Sequence, residues 1–210
     1  MSAVAVQVRA IAMRSIARTV RQPASFIPPL VFPTMLLAVN SGGLASATGL
    51  QGFPTDSFLA FALAVPFIQG ALFSTLNAGT DLARDIQTGF LNRLSLTPLR
   101  GSALLAGHLT GVVVLGVAQA VFYISVGLAA GAGFAAGPAG IPVLLAFAAL
   151  VSLGFGALGS FFALRSGSGE TVQALFPVFF VFLFISSMNA PRDLMAVDRK
   201  STRLNSSHLA

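Results

Sequence analysis

Residues 101–164 read GSALLAGHLTGVVVLGVAQAVFYISVGLAAGAGFAAGPAGIPVLLAFAALVSLGFGALGSFFAL, sixty-four positions without one formal charge. A single bilayer crossing takes about 20 residues, so this run is too long for one. Gly131-Ala132-Gly133 and Gly137-Pro138-Ala139-Gly140 interrupt it, and Gly and Pro are the strongest local breakers. Two spans result, over 102–130 and 141–164. The rest of the chain agrees with a membrane setting. Of its 210 residues 55% are hydrophobic and 9% charged, at a mean hydropathy of +0.86. A soluble domain carries about 25% charged residues, so too little polar surface exists to cover a water-soluble globule.

Working outward, 58–80 is another charge-free span, and 23–42 is a first one, bent or delayed by Pro23, Pro28, Pro29 and Pro33. A fifth lies over 171–190. Before them, 1–22 carries Arg14, Arg18 and Arg21 on one arc, with Val6, Met13, Ile16 and Val20 on another. That pattern predicts an amphipathic helix on an anionic membrane surface. The expected fold is an all-α polytopic membrane protein: a surface helix plus five transmembrane helices. Arg9, Arg14, Arg18, Arg21, Arg84, Arg93, Arg100 and Arg165 then share one side, against Arg192 on the other. Basic residues collect in the cytoplasm, which places the N-terminus there.

Residues 198–208 resemble the translation of a common sequencing-library adapter. The tail 198–210 is therefore expected to be non-native, with the native chain cut short near Val197. Lys200, in that tail, is the only Lys.

Composition removes much chemistry. The chain has no Cys, so disulfides and thiolate sites are out. His108 is the only His before the tail, and no carboxylate lies within the spans. A hydrolase or metal site therefore lacks partners, and a proton relay lacks its buried acids. A phosphate-loop ATPase needs a Lys that the native part lacks. No enzyme, metal site or cofactor is expected in this chain. The uncharged polar residues in the spans, Asn40, Gln69, Asn77, Gln119, Tyr123 and Gln173, line a translocation path or bond helix to helix. Gln69, Asn77, Gln119 and Tyr123 are the path candidates. Gly107 and Gly111 permit close helix approach.

The most informative polar stretch is 81–100, DLARDIQTGFLNRLSLTPLR. Asp85 suits a helix N-cap. Ile86, Phe90 and Leu94 are spaced by four and make one apolar stripe. Thr97-Pro98 stops the helix. Such a helix lies on the membrane or docks in a groove of a cytoplasmic partner; the residues alone leave both open.

The run from Asp85 through Gly89, Arg93, Thr97 and Pro98, followed by Leu104-Leu105-Ala106-Gly107, resembles the signature of type 2 ABC-transporter permeases, in particular daunorubicin-resistance-type exporters. The Arg-rich N-terminal helix and the turn Ala190-Pro191-Arg192-Asp193-Leu194 are similar to that family too. Ile86, Gln87 and Asn92 stand where many members carry charges. The resemblance implies a permease domain over 1–197, with a sixth span lost to the truncation. It implies that 81–100 is a cytoplasmic coupling loop seated on a separate ATPase subunit. Asp85, Ile86, Gly89, Phe90, Arg93, Leu94, Thr97 and Pro98 would make the contact. ATP and Mg would be bound by that subunit. A second permease copy, identical or not, and membrane lipid complete the implied partners, with no nucleic acid. The implied function is export of amphiphilic drugs, lipids or glycans across the cell membrane. The rival reading is a non-transporting membrane scaffold or a membrane-bound biosynthetic protein.

Overall fold

The computed structural model describes residues 3–43, 62–132 and 137–175, with 177, 178 and 181. All regular structure among the described residues is helical. In chain order the helices are α1 (Ala3–Arg21), α2 (Pro23–Gly43), α3 (Ala64–Gln87), α4 (Phe90–Leu94), α5 (Gly101–Ala129), α6 (Gly140–Ser166) and α7 (Gly169–Ala174). A 3-10 turn, Gly137–Ala139, leads into α6. Helices α5 and α6 are long and apolar enough to cross a bilayer. The stretch Ile27–Gly42 of α2 is apolar but shorter.

Helix α2 begins at Pro23 itself, so of the two expected effects of its prolines a late start is excluded. Proline at a first helical position loses no hydrogen bond, because that N–H has no intrahelical acceptor. Further in, Pro33 has no N–H to give the carbonyl of Pro29 four residues back. Tyr123 on α5 supplies the missing donor: its hydroxyl donates to the Pro29 carbonyl. In lipid an unsatisfied backbone carbonyl costs several kcal/mol, so such a bond ties α2 to α5.

Helix α3 is central and packs on α2, α5, α6 and α7. Its contact with α6 is backbone to backbone. A Cβ on Gly159 would collide with the Thr75 carbonyl, and one on Gly79 would sit 2.5 Å from Val172 of α7 and 2.8 Å from the Gly159 carbonyl. Leu82, Ala83, Ala163 and Val172 close this crossing, with Leu76, Leu91 and Phe162 packed against them. Small residues at helix crossings replace the hydrophobic drive that lipid removes. The Gly107/Gly111 pair serves α1: a Cβ at Gly107 would meet Ile11 at 2.7 Å, and one at Gly111 would meet Ser15 at 2.7 Å. On the outer side of α6, Val143, Phe147, Leu150, Phe161 and Leu164 are exposed. That is the reverse of a helix in water and what a lipid-facing surface requires.

Three expectations change. The segment 81–100 is not all loop, because α3 continues through it as far as Gln87. Asp85 therefore sits in the last turn of α3 and caps no helix N-terminus; the N-cap of α4 is Gly89. The chain breaks there, with Gly89 at φ 67°, so Ile86 lies on one helix and Phe90 and Leu94 on the next. The even spacing of these three suggested one stripe, but spacing is blind to a left-handed residue between them. Most of the expected fifth span over 171–190, the first residues of the expected span over 58–80, and the tail 198–210 lie outside the described residues.

Candidate functional site

Charges are few in this chain, and the structure gathers five of its ionisable groups where α1 crosses the ends of α3 and α5. Helix α1 turns Arg14 and Arg18 of the Arg arc inward onto carboxylates, while Arg21 stays exposed. Arg14 Nη1 and Nη2 donate to Asp85 Oδ2 and Oδ1 at 2.8 and 2.9 Å, a bidentate fork. Arg18 also bonds Asp85 Oδ1. Arg18 Nη1 reaches Asp81 Oδ1 at 3.4 Å and the Asp81 carbonyl at 3.1 Å. The opposite arc of α1 is left outside, with Val6, Met13 and Val20 more than half exposed.

Burial works against both carboxylates, but the outcomes differ. At Asp85 the Arg14 and Arg18 hydrogen bonds outweigh burial and hold the carboxyl below its ordinary value. At Asp81 burial is the larger effect, Arg18 only partly offsets it, and the carboxyl is pushed up. The Arg14 guanidinium is held more firmly protonated, chiefly by its hydrogen bond to Asp85. Behind them His108 of α5 is buried, with Nε2 3.1 Å from the Ala78 carbonyl. A carbonyl only accepts, so Nε2 carries the proton in this bond. His108 is thus an interhelical pin beside Asp81, more deeply set than its interfacial position in the sequence suggested.

The clamp extends to α4. The Arg14 guanidinium carbon lies 3.7 Å above the centroid of the Phe90 ring. Leu91 packs on the α3–α6–α7 core, and Gln7 Nε2 bonds the Pro98 carbonyl at 3.4 Å. Helix α4 is therefore held from within. Of the residues named from sequence, Asp85 and Phe90 join the clamp, while Ile86 and Leu94 are half-buried. Gly89 makes the bend, in open space. Arg93, Thr97 and Pro98 are exposed, and Arg93 makes no ion pair among the described residues. The most exposed large apolar residue described is Leu96, at 87%. Sequence reasoning passed over Leu96, although an apolar residue within the turn Ser95-Leu96-Thr97-Pro98 was a visible signal. It also missed the Arg14 and Arg18 pairings. A chain with so few acids, two of them at a span end on the Arg-rich side, signals an ion-paired cluster.

The path candidates divide. Asn77 and Gln119 line one gap of about 20 Å³ between α1, α3 and α5, room for about one water. Tyr123 is committed to Pro29. Gln69 is 1% exposed, and neither of its side-chain polar atoms has a hydrogen-bond partner among the described residues. Asn77 also lines a larger cleft of about 420 Å³ between α2, α3 and α7, with Asp81, Arg84 and Gln173. Among the described residues no three of His, Asp and Glu come together as a metal cradle would require.

The sequence profile described as ABC-2 type transporter matches residues 6–200. The chain is 30% identical over 175 residues, 80% of its length, to the Daunorubicin resistance ABC transporter permease protein DrrB1 of Streptomyces coeruleorubidus. It spans 59% of that relative's length. No solved structure matches it.

Proposed function

Because the chain belongs to the ABC-2 type transporter family, we propose that it is the permease subunit of an exporter driven by a separate ATP-binding subunit. Amphiphilic drugs, lipids or glycans are the substrate range. In this reading the chain crosses the cell membrane five times, over 23–42, 58–80, 102–130, 141–164 and 171–190, with α1 and the α3–α4 elbow in the cytoplasm. A second permease copy pairs with it, so that two permeases face two ATPases. ATP and Mg belong to the ATPases.

The observation that carries the proposal is the elbow. Helix α3 runs without interruption from Ala64 to Gln87, turns at Gly89, and presents Leu96 and Arg93 outward, while Arg14 and Leu91 hold α4 from behind. A surface so built transmits a push. ATP closure of two ATPases displaces the two elbows, each α3 moves as a rod, and the spans packed on it change access. The work comes from the difference in elbow contacts between the two ATPase states. Affinity-tagged chain, co-expressed with a candidate ABC-type ATPase subunit, should bring that ATPase out of the membrane. The pair should also load an amphiphile into inverted vesicles only with ATP. An ATPase left behind, with no ATP-dependent loading, favours the scaffold reading.

A further inference from the structure

The cleft between α2, α3 and α7 measures about 420 Å³, within the range of small-molecule sites. Its wall is graded along α3. Phe73, Asn77, Thr80 and Arg84 follow one another at steps of four, three and four, so they form a single stripe. At about 1.5 Å per residue the stripe is about 16 Å long. The Phe73 end is apolar, with Leu76 and Pro29 beside it; the other end carries Asp81, Arg84 and Gln22. Arg84 is exposed and makes no ion pair among the described residues; its Nη1 reaches only Gln22 Oε1, at 3.4 Å. Arg18 holds Asp81 through Oδ1 and the main-chain carbonyl, and no hydrogen bond among the described residues uses Asp81 Oδ2. One cation and one anion therefore flank the polar mouth of a slot that turns apolar further in. Gln22 joins α1 to α2, so the mouth lies beside the end of α1, whose exposed Val6, Met13 and Val20 form the kind of apolar arc that a helix at a membrane surface turns to lipid.

We propose that this cleft holds one cytoplasmic-leaflet phospholipid with a primary ammonium headgroup, its phosphate on Arg84 and its ammonium on Asp81. A purely anionic headgroup would bring its charge against Asp81. A quaternary ammonium has no N–H to give that carboxylate. The apolar wall from Phe73 to Pro29 takes the first part of an acyl chain, which a free phosphate compound lacks. The site goes beyond the exporter reading and does not depend on it, since binding alone is claimed.

The chain is reconstituted in nanodiscs of phosphatidylethanolamine, phosphatidylcholine or phosphatidylglycerol, and equal mixtures of them, then extracted in mild detergent. Retained lipid is read by mass spectrometry, and helicity by circular dichroism. The expected result is retention of phosphatidylethanolamine over phosphatidylcholine by about tenfold, the worth of one charge-assisted hydrogen bond. Arg84→Gln should lower retention of both lipids at unchanged helicity, and Asp81→Asn should erase only the preference between them. Equal retention of the two lipids by the unaltered chain overturns the proposal, as does a preference for phosphatidylglycerol. Displacement of the lipid by equimolar phosphoethanolamine overturns the lipid assignment. Should Asp81→Asn fail to insert, Arg84→Gln decides: undiminished retention overturns the site.

Discussion

Arg14 and Asp85, 71 residues apart in the chain, meet through two parallel hydrogen bonds at 2.8 and 2.9 Å, while the same guanidinium covers the ring of Phe90. One side chain of α1 thus fastens the end of α3 and the start of α4 together. Arg14 is 38% exposed and Asp85 10%, so the pair is only partly desolvated. A fully buried pair loses roughly 3–5 kcal/mol when one partner is removed. Solvent screening at Arg14 reduces that here. Asp85→Ala is expected to cost about 2 kcal/mol, and Arg14→Ala about 1 kcal/mol, because Arg18 still answers Asp85. The exchange Arg14→Asp with Asp85→Arg should recover part of the loss. Thermal unfolding in detergent reads all three, and strict additivity of the two exchanges would show that the clamp is idle.

The two carboxylates predict opposite responses to acid. Asp85 is held below its ordinary 3.8, so its stabilising contribution is complete above that value and is lost as pH falls through the lowered one. Asp81 is raised, so its protonated form favours the folded state; that contribution is present below 3.8 and is lost as pH rises through the raised value. Melting temperatures across about pH 2–7 should therefore carry a fall on the acid side from Asp85, opposed by a gain from Asp81. Asp85→Asn should flatten that fall, and Asp81→Asn should steepen it. A steeper fall in Asp85→Asn would contradict the assignment.

Much of this was legible in the sequence, and the reason is solvent. Lipid tolerates charges so poorly that charge-free runs outline α5 and α6 to within two residues at each end. Positions of charge are legible; their partners are not. Nothing local tells Arg14 that it will meet Asp85 and not a lipid phosphate, and Asp85 looks locally like a cap because the charge-free run before it stops at Thr80. The bend at Gly89 hides for a similar reason: helical spacing continues across it, and only its φ of 67° reveals the break.

Tyr123 and Pro33 give a test in which one variant repairs another. Tyr123→Phe leaves the Pro29 carbonyl without a donor in an apolar setting, at a cost of about 1–3 kcal/mol. Pro33→Ala restores an N–H four residues beyond Pro29, within the same helix. In that background Tyr123→Phe should be close to neutral. Unfolding midpoints of the four proteins check this. An equal loss from Tyr123→Phe in both backgrounds would mean that the Tyr123 ring matters through packing, against Phe67 and Phe122, and not through its hydroxyl.

Orientation is open to a direct probe, because the chain has no Cys to remove. Thr88 at the elbow and Ala130 at the far end of α5 are both exposed. With α1 and the elbow in the cytoplasm, a Cys at Ala130 should react with an impermeant thiol reagent added outside intact cells. One at Thr88 should react only after permeabilisation. The reverse pattern would invert the topology and remove the elbow from any cytoplasmic partner.

The elbow itself predicts an order of effects in the complete complex. Leu96 is 87% exposed and free to bury against a partner, and burying such a side chain is worth about 1.5–3 kcal/mol. Arg93 beside it offers an exposed ion pair, worth at most about 1 kcal/mol. Leu96→Ala should therefore loosen the ATPase more than Arg93→Ala, and neither should reduce membrane insertion. Phe90 faces Arg14, so Phe90→Ala should act through the clamp, lowering thermal stability first and docking second. At Gly89 no atom stands within 4 Å of an added Cβ, so side-chain size is not the constraint; a φ of 67° is. Gly89→Asn should be tolerated, while Gly89→Val, forced into a left-handed conformation at about 1–2 kcal/mol, should misdirect α4 and weaken docking. ATPase recovered with tagged permease, measured beside insertion level, ranks the variants. If Leu96→Ala holds the ATPase as firmly as the unaltered chain while Phe90→Ala releases it, the docking surface is the inner face of α4, and the clamp must open before the partner can bind.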